Sequence, residues 1–90
     1  MKQDISVIIL TYNEEQHIER CIKSLLPFAK EIFLVDSFST DKTVEIAQNL
    51  GAKIYQNPWP NNHAIQFNWG LENCPVSTKW VMRMDADEYV

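Results

Sequence analysis

Three acidic side chains, Asp85, Asp87 and Glu88, stand close together near the end of the sequence. They follow residues 80–84, a short run with apolar and β-favouring side chains that predicts a strand. Carboxylates this close repel one another unless a cation offsets their charge, and hard oxygen ligands suit Mg²⁺ or Mn²⁺. The spacing therefore indicates a site for a divalent metal and a diphosphate. A plain polar turn after an edge strand would also account for it.

Two further polar clusters directly follow apolar, β-branched runs at residues 5–10 and 31–35, which are typical of buried parallel strands. The candidate binding residues in these clusters are Thr11, Asn13, Glu14, Asp36 and Ser37. Because ligands bind at the carboxyl ends of strands in open α/β sheets, we expect all three clusters to share one edge. A nucleotide bound there would have Thr11 and Asn13 near its base and ribose and Asp36 as a hydrogen-bond acceptor. Helix capping and Asx turns would explain the same residues without a ligand.

The elements that must position these clusters alternate along the sequence. Periodicity predicts a helix that Asn13 caps, a second that Ser39 or Thr40 caps, and a third over residues 63–73, preceded by a short strand at 53–55. The order β-α-β-α-β-loop-α-β predicts an α/β fold, with a mostly parallel sheet of about four strands and helices on both faces. The apolar residues expected to pack the third helix are Ile65, Trp69 and Leu71.

Composition narrows the class of protein. Ninety residues with 46% hydrophobic and 22% charged content predict one modest globular core. The net charge of −4, without a basic run, argues against a nucleic-acid-binding role. Cys21 is expected in the core and Cys74 in a loop, and the pair lacks disulfide or metal spacing, which favours the cytoplasm. The N-terminal apolar run, about six residues long, is too short for a signal peptide or a transmembrane segment.

Other chemistries find less support. A dinucleotide-binding fingerprint needs glycines after the first strand, where this sequence has Thr-Tyr-Asn-Glu-Glu. His17 and His63 are expected to be exposed or capping, and neither completes a nucleophilic triad. The loop around Trp59, flanked by prolines, would serve either as a platform for a sugar or base or as simple loop packing. Gln66 and Asn68 on the third helix are candidates for the same edge, but the sequence does not fix the direction of their side chains.

With these segments assembled, the sequence resembles the N-terminal, nucleotide-sugar-binding half of a family 2 glycosyltransferase of the GT-A fold. Four segments spread over nearly all ninety residues carry the similarity: ISVIILTYNE, LVDSFSTDKT, QFNWG and MDADE. They are similar to segments of bacterial enzymes that build lipopolysaccharide core, capsule or exopolysaccharide. Two positions depart from the family pattern: Ser37 stands where many relatives have a second Asp, and Phe67 where many have a basic residue.

The resemblance implies a transferase that uses Mg²⁺ or Mn²⁺ and a nucleoside-diphosphate sugar, with a UDP-sugar favoured. It implies that Asp36 contacts the base and that Asp87, with Asp85, binds the metal through the family's D-x-D motif. The residues it places around the base and ribose are Thr11, Asn13 and Glu14.

The resemblance also implies where the catalytic base of the enzyme lies. Transfer with inversion to a saccharide or lipid-linked saccharide requires a general base, which the family places beyond the metal motif and hence beyond Val90. Residues 1–90 are then a single partial domain, truncated after the D-x-D strand, and inactive in isolation. The enzyme is expected in the cytoplasm, where it can associate peripherally with the inner face of the membrane.

A non-catalytic nucleotide- or partner-binding module with a flavodoxin- or receiver-like sheet is the alternative, since receivers also cluster acids at strand ends. Receivers place paired acids after the first strand and a phosphoacceptor Asp after the third. Here the corresponding segments are Thr-Tyr-Asn-Glu and Tyr-Gln-Asn-Pro.

Overall fold

The computed structural model describes residues 2–89, which form four strands and three helices in alternating order. The strands are β1 (Gln3–Thr11), β2 (Ala29–Asp36), β3 (Lys53–Gln56) and β4 (Trp80–Asp85). The helices are α1 (Ile18–Leu25), α2 (Thr43–Asn49) and α3 (His63–Asn73). This order confirms the predicted α/β arrangement.

All pairings in the sheet are parallel, and the strand order is β3-β2-β1-β4. The central strand β1 pairs through Thr11 with Asp36 of β2 and through Leu10 with Asp85 of β4. The carboxyl ends of these strands are therefore level with one another, at what we call the carboxyl edge of the sheet. The register brings the three polar clusters to one side of the molecule, as the sequence predicted.

Both faces of the sheet are covered by helices, because the apolar strands alternate their side chains between them. Val7 and Ile9 face α1 and α2, while Ile8 and Leu10 point to the opposite face, where Phe67 and Trp69 of α3 pack. Helix α1 contributes a fully buried stripe at helical spacing, formed by Ile18, Cys21, Ile22 and Leu25. The prediction that Cys21 is a core residue is confirmed.

The buried side of α3 differs from the prediction. Ile65 and Leu71 are 54% and 41% exposed, and the buried positions are Gln66 and Gly70. A Cβ at Gly70 would lie 3.1 Å from Cγ2 of Val35, so the missing side chain lets the helix lie close to the sheet. Hydrophobic periodicity cannot identify a helix face made by an amide and a glycine.

Three local predictions are also wrong. Helix α1 begins at Ile18 with His17 as its N-cap, so Asn13 does not cap it. Helix α2 begins at Thr43 with Lys42 as its N-cap, so neither Ser39 nor Thr40 caps it. Cys74 is the C-cap of α3 and is buried rather than exposed in a loop, because it packs beside Ile8 and Phe33. Within residues 2–89, none of the helices combines the length and the apolar composition needed to cross a membrane.

The assignment of helix faces predicts that an Ile→Ala substitution lowers the free energy of unfolding by different amounts on α1 and on α3. Ile22→Ala should lower the free energy of unfolding by about 2–5 kcal/mol, because it opens a cavity beneath α1. Ile65→Ala should change it by no more than about 0.5 kcal/mol, because that side chain is largely exposed. Urea denaturation of both variants measures the difference. Equal losses would contradict the assigned orientation of α3.

Candidate functional site

A cleft of about 410 Å³ lies at the carboxyl edge, and we call it the edge cleft. Its lining residues are Leu10, Thr11, Tyr12, Glu14, Ser37, Trp59, His63 and Gln66. The rings of Tyr12 and Trp59 are both exposed, and Trp59 packs edge-on against His63 with ring centroids 4.9 Å apart. Aromatic faces of this kind suit a planar ring of a ligand.

Four of the predicted binding residues border the edge cleft or lie directly beneath it. Thr11, Glu14 and Ser37 line it. Asp36 is fully buried below them and accepts hydrogen bonds from Thr11 Oγ1 at 2.6 Å and from Ser39 N at 2.8 Å. The Ser39 hydroxyl also donates to Asp36, at 2.6 Å. Asp36 thus holds the end of β1 and the loop after β2 together, and its contact with a base remains a prediction.

Asn13 joins the β1–α1 loop to the β2–α2 loop instead of capping a helix. Its backbone N–H donates to Ser39 Oγ at 2.8 Å, and its side-chain Oδ1 accepts from Thr40 N at 2.8 Å. Its φ of 51° lies in the left-handed region, which Asn tolerates better than most residues. Next to it, Glu14 N donates to Thr43 Oγ1 at 2.8 Å. These bonds fix the loop that carries Glu14 into the cleft, next to Thr11 at the end of β1.

Residues 85–88, which we call the acidic turn, follow β4 at the same edge. The turn is closed by two hydrogen bonds, from Asp85 N to Glu88 Oε1 at 2.7 Å and from Glu88 N to Asp85 O at 2.9 Å. Beside it, the guanidinium of Arg20 on α1 lies 4.3 Å from the centroid of the Tyr89 ring. The Glu88 carboxylate therefore shapes the turn, while Asp87 is exposed.

The acidic turn meets one requirement of a cation site. Asp85 Oδ1 is buried and has no hydrogen-bond partner among residues 2–89, which is costly for a carboxylate oxygen unless a ligand completes the site. Burial, followed by the charges of Glu88 and Asp87, raises the pKa of the nearby Cys21 to about 11. In the described part of the chain, no three His, Cys, Asp or Glu side chains form a preassembled metal cage. Asp85 and Asp87 could supply only part of a coordination shell, which suits Mg²⁺ or Mn²⁺ because these ions also take phosphate oxygens and water.

Sequence reasoning missed part of the cleft. Tyr12 lines the cleft although it is not among the predicted binding residues, and His63, predicted to be exposed or capping, is exposed at the first turn of α3 but also lines the cleft. The sequence leaves the direction of Gln66 and Asn68 open; in the structure Gln66 lines the cleft, whereas Asn68 is exposed and is not among the lining residues. The signal for Tyr12 was its position directly after β1, where a side chain reaches the strand ends.

The parallel sheet, the cleft at its carboxyl edge and the acidic turn after β4 define an α/β domain with a candidate ligand site at its strand ends. Residues 6–90 match Glycosyl transferase family 2, and the chain belongs to that family. It is 42% identical over 88 residues to an uncharacterized glycosyltransferase of Rickettsia bellii, covering 98% of this chain and 29% of that protein. It is 37% identical over 92 residues to the lipopolysaccharide core biosynthesis glycosyltransferase LpsC of Rhizobium meliloti, covering 97% of this chain and 33% of that protein.

Solved structures agree with the GT-A-type fold. Glucosyl-3-phosphoglycerate synthase from Mycobacterium tuberculosis, in complex with Mn²⁺, UDP and glucosyl-3-phosphoglycerate, aligns with a TM-score of 0.77 at 26% identity. That alignment covers 94% of this chain and 35% of the synthase. TarS of S. aureus aligns with a TM-score of 0.78 at 31% identity, over 99% of this chain and 17% of TarS. These likenesses favour the glycosyltransferase interpretation over the receiver-like alternative.

The geometry of Asn13 predicts a graded loss of stability. Asn13→Gly should lower the free energy of unfolding by about 1 kcal/mol, because the Thr40 N–H loses its acceptor. Asn13→Ala should lower the free energy of unfolding by about 1 kcal/mol more than Asn13→Gly, because alanine is strained at positive φ and glycine is not. Thermal or urea denaturation compares the two variants. An alanine variant as stable as the glycine variant would show that the left-handed conformation is not required.

Proposed function

We propose that residues 1–90 bind the nucleoside-diphosphate part of a sugar donor, with a UDP-sugar favoured, in a family 2 glycosyltransferase. Two observations at the same sheet edge carry the proposal: the edge cleft, and a buried carboxylate oxygen of Asp85 that has no hydrogen-bond partner among residues 2–89. A planar base suits the aromatic part of the edge, and a cation with a diphosphate suits the acidic part. The UDP-bound state of the mycobacterial synthase supports the same assignment.

The proposed cofactor is Mg²⁺ or Mn²⁺, held by Asp87 and Asp85. A diphosphate placed beside Asp85, Asp87 and Glu88 would meet three carboxylates, whose charge the nearby Arg20 guanidinium offsets only in part, in a chain whose net charge is already −4. A bound divalent ion would neutralise that charge and stabilise the leaving diphosphate during transfer. The Mn²⁺ and Mg²⁺ complexes of the synthase support a metal of this kind.

Each remaining binding residue has a proposed task that fits its position. Thr11 and Glu14 would face the base and ribose, since both line the edge cleft. Asn13 would support them from the loop rather than from within the cleft. Asp36 would contact the base only with acceptor capacity left over from its bonds to Thr11 and Ser39, so its main contribution would be to hold the loops.

The acceptor part of the reaction is proposed for the whole protein, because this chain spans about 30% of the length of the relatives described above. Sugar transfer with inversion needs a base that takes the acceptor hydroxyl proton. Glu88 is engaged in closing the acidic turn, so we place that base beyond Val90, with residues 1–90 alone inactive. The similarity to LpsC supports a saccharide or lipid-linked saccharide acceptor.

Metal-dependent nucleotide binding is the first expected outcome. Calorimetry on the full-length protein, with UDP-, GDP- and dTDP-sugars, should detect binding in Mn²⁺ or Mg²⁺ and a UDP-sugar preference. EDTA should abolish that binding, because the three carboxylates of the acidic turn outweigh the charge of the nearby Arg20 guanidinium and repel the diphosphate when no divalent ion is bound. Absence of binding across the panel would remove the proposal.

Loss of the proposed metal ligand should reduce turnover strongly. Asp87→Asn in the full-length protein should lower kcat by about 10²-fold or more at saturating donor, because transition-state charge loses its stabilisation. Glu72→Gln removes the same formal charge from an exposed position on α3 and serves as the control, with kcat unchanged. Wild-type turnover of Asp87→Asn at saturating Mn²⁺ would contradict the metal assignment.

A further inference from the structure

A neutral side-chain network lies beneath the edge cleft, between the end of β2, the loop after β3 and α3. Gln66, which is fully buried, donates from Nε2 to Ser37 Oγ at 3.0 Å and to Asn57 O at 3.3 Å. Its Oε1 accepts from Asn57 Nδ2 at 2.8 Å. Asn57 Nδ2 also donates to Pro58 O at 3.2 Å. The network links three segments through two amide side chains and one hydroxyl.

The direction of these hydrogen bonds is fixed by the backbone. A carbonyl oxygen can only accept, so Pro58 O requires the amide nitrogen of Asn57 on its side, and Asn57 O requires that of Gln66. Gln66 therefore presents N–H, and not oxygen, to Ser37. Ser37 Oγ must accept that bond, which leaves its own proton to be donated elsewhere.

The Ser37 hydroxyl can donate its proton toward the edge cleft. Oγ of Ser37 contacts no acceptor among residues 2–89, and the one other hydrogen bond of the residue runs from its backbone N–H to Thr11 O. Ser37 is 8% exposed, and what remains accessible lines the edge cleft. The hydroxyl thus offers a hydrogen-bond donor to whatever occupies the cleft.

We propose that Ser37, oriented by Gln66, selects a keto base over an amino base in the edge cleft. This inference rests on the proposed function, since it assumes a nucleotide there. Strand order separates Ser37 from Asp85 by two strand spacings, roughly 10 Å, which leaves room for a ribose between base and diphosphate. A ring carbonyl such as that of uracil accepts the Ser37 proton, whereas the amino group of cytosine could reach only the remaining lone pair of Oγ and would leave that proton without an acceptor.

The test compares UDP and CDP binding by calorimetry, in Mn²⁺, on the full-length protein. Wild type should bind UDP more tightly than CDP. Ser37→Ala should weaken UDP binding about two- to tenfold and leave CDP binding unchanged, so that the preference shrinks. Ser77→Ala, at the opposite edge of the sheet, is the matched control and should keep the wild-type ratio.

The Gln66→Glu variant tests whether Gln66 orients the Ser37 hydroxyl or only supports the packing beneath the cleft. Its carboxylate accepts the Ser37 proton and turns the hydroxyl lone pairs to the cleft, so the UDP-to-CDP affinity ratio should fall although Ser37 is intact. A loss of packing alone would weaken both nucleotides equally. Should this variant unfold, as thermal melting would show, Ser37→Ala decides the question.

The outcomes distinguish the two proposals. An unchanged UDP-to-CDP ratio in Ser37→Ala, with both nucleotides still bound, would overturn the role of Ser37 and leave the proposed function standing. No preference for UDP in the wild type would do the same. A wild type that binds neither nucleotide would overturn the proposed function itself.

Discussion

The fully buried carboxylate of Asp36, at the end of β2, accepts hydrogen bonds from Thr11 of β1 and from the backbone and hydroxyl of Ser39. A buried charge is costly unless it is fully hydrogen-bonded, so this carboxylate constrains the strand end and the following loop to one arrangement. The constraint extends further, because Ser39 and Thr40 bond to Asn13 and thereby position the β1–α1 loop. The walls of the edge cleft depend on this chain of contacts.

The two ends of the carboxyl edge differ in their chemistry. Near β2 and α3, the polar atoms of Gln66 and Asn57 satisfy one another and leave a single directed donor at Ser37. Near β4, the acidic turn keeps a buried oxygen of Asp85 without a partner among residues 2–89. The network of Gln66, Asn57 and Ser37 is thus neutral, whereas the acidic turn has negative charge to be balanced. This polarity matches a ligand that is a planar base at one end and a metal-bound diphosphate at the other.

Much of the fold could be predicted from the sequence, because strands buried on both faces leave continuous apolar runs and parallel strands bring their ends to one edge. The failures lie where a distant partner overrides a local preference. Asn13 has the side chain of a helix cap, but Thr40 and Ser39 hold it at positive φ. Gln66 is polar and yet buried, because its side-chain amide forms hydrogen bonds with Ser37 and Asn57. The roles of Asp36, Asp85 and Asp87 toward a ligand remain predictions.

A crystal structure of the full-length protein with UDP and Mn²⁺, recorded at a wavelength where manganese scatters anomalously, tests the central claim most directly. The account predicts an anomalous peak within coordination distance of the Asp87 carboxylate, about 2.0–2.3 Å by analogy with other oxygen-bound divalent ions. It also predicts the uracil between Tyr12 and Trp59, with a ring carbonyl facing Ser37. An ordered nucleotide at another surface, with the edge cleft empty and no manganese at the acidic turn, would contradict it.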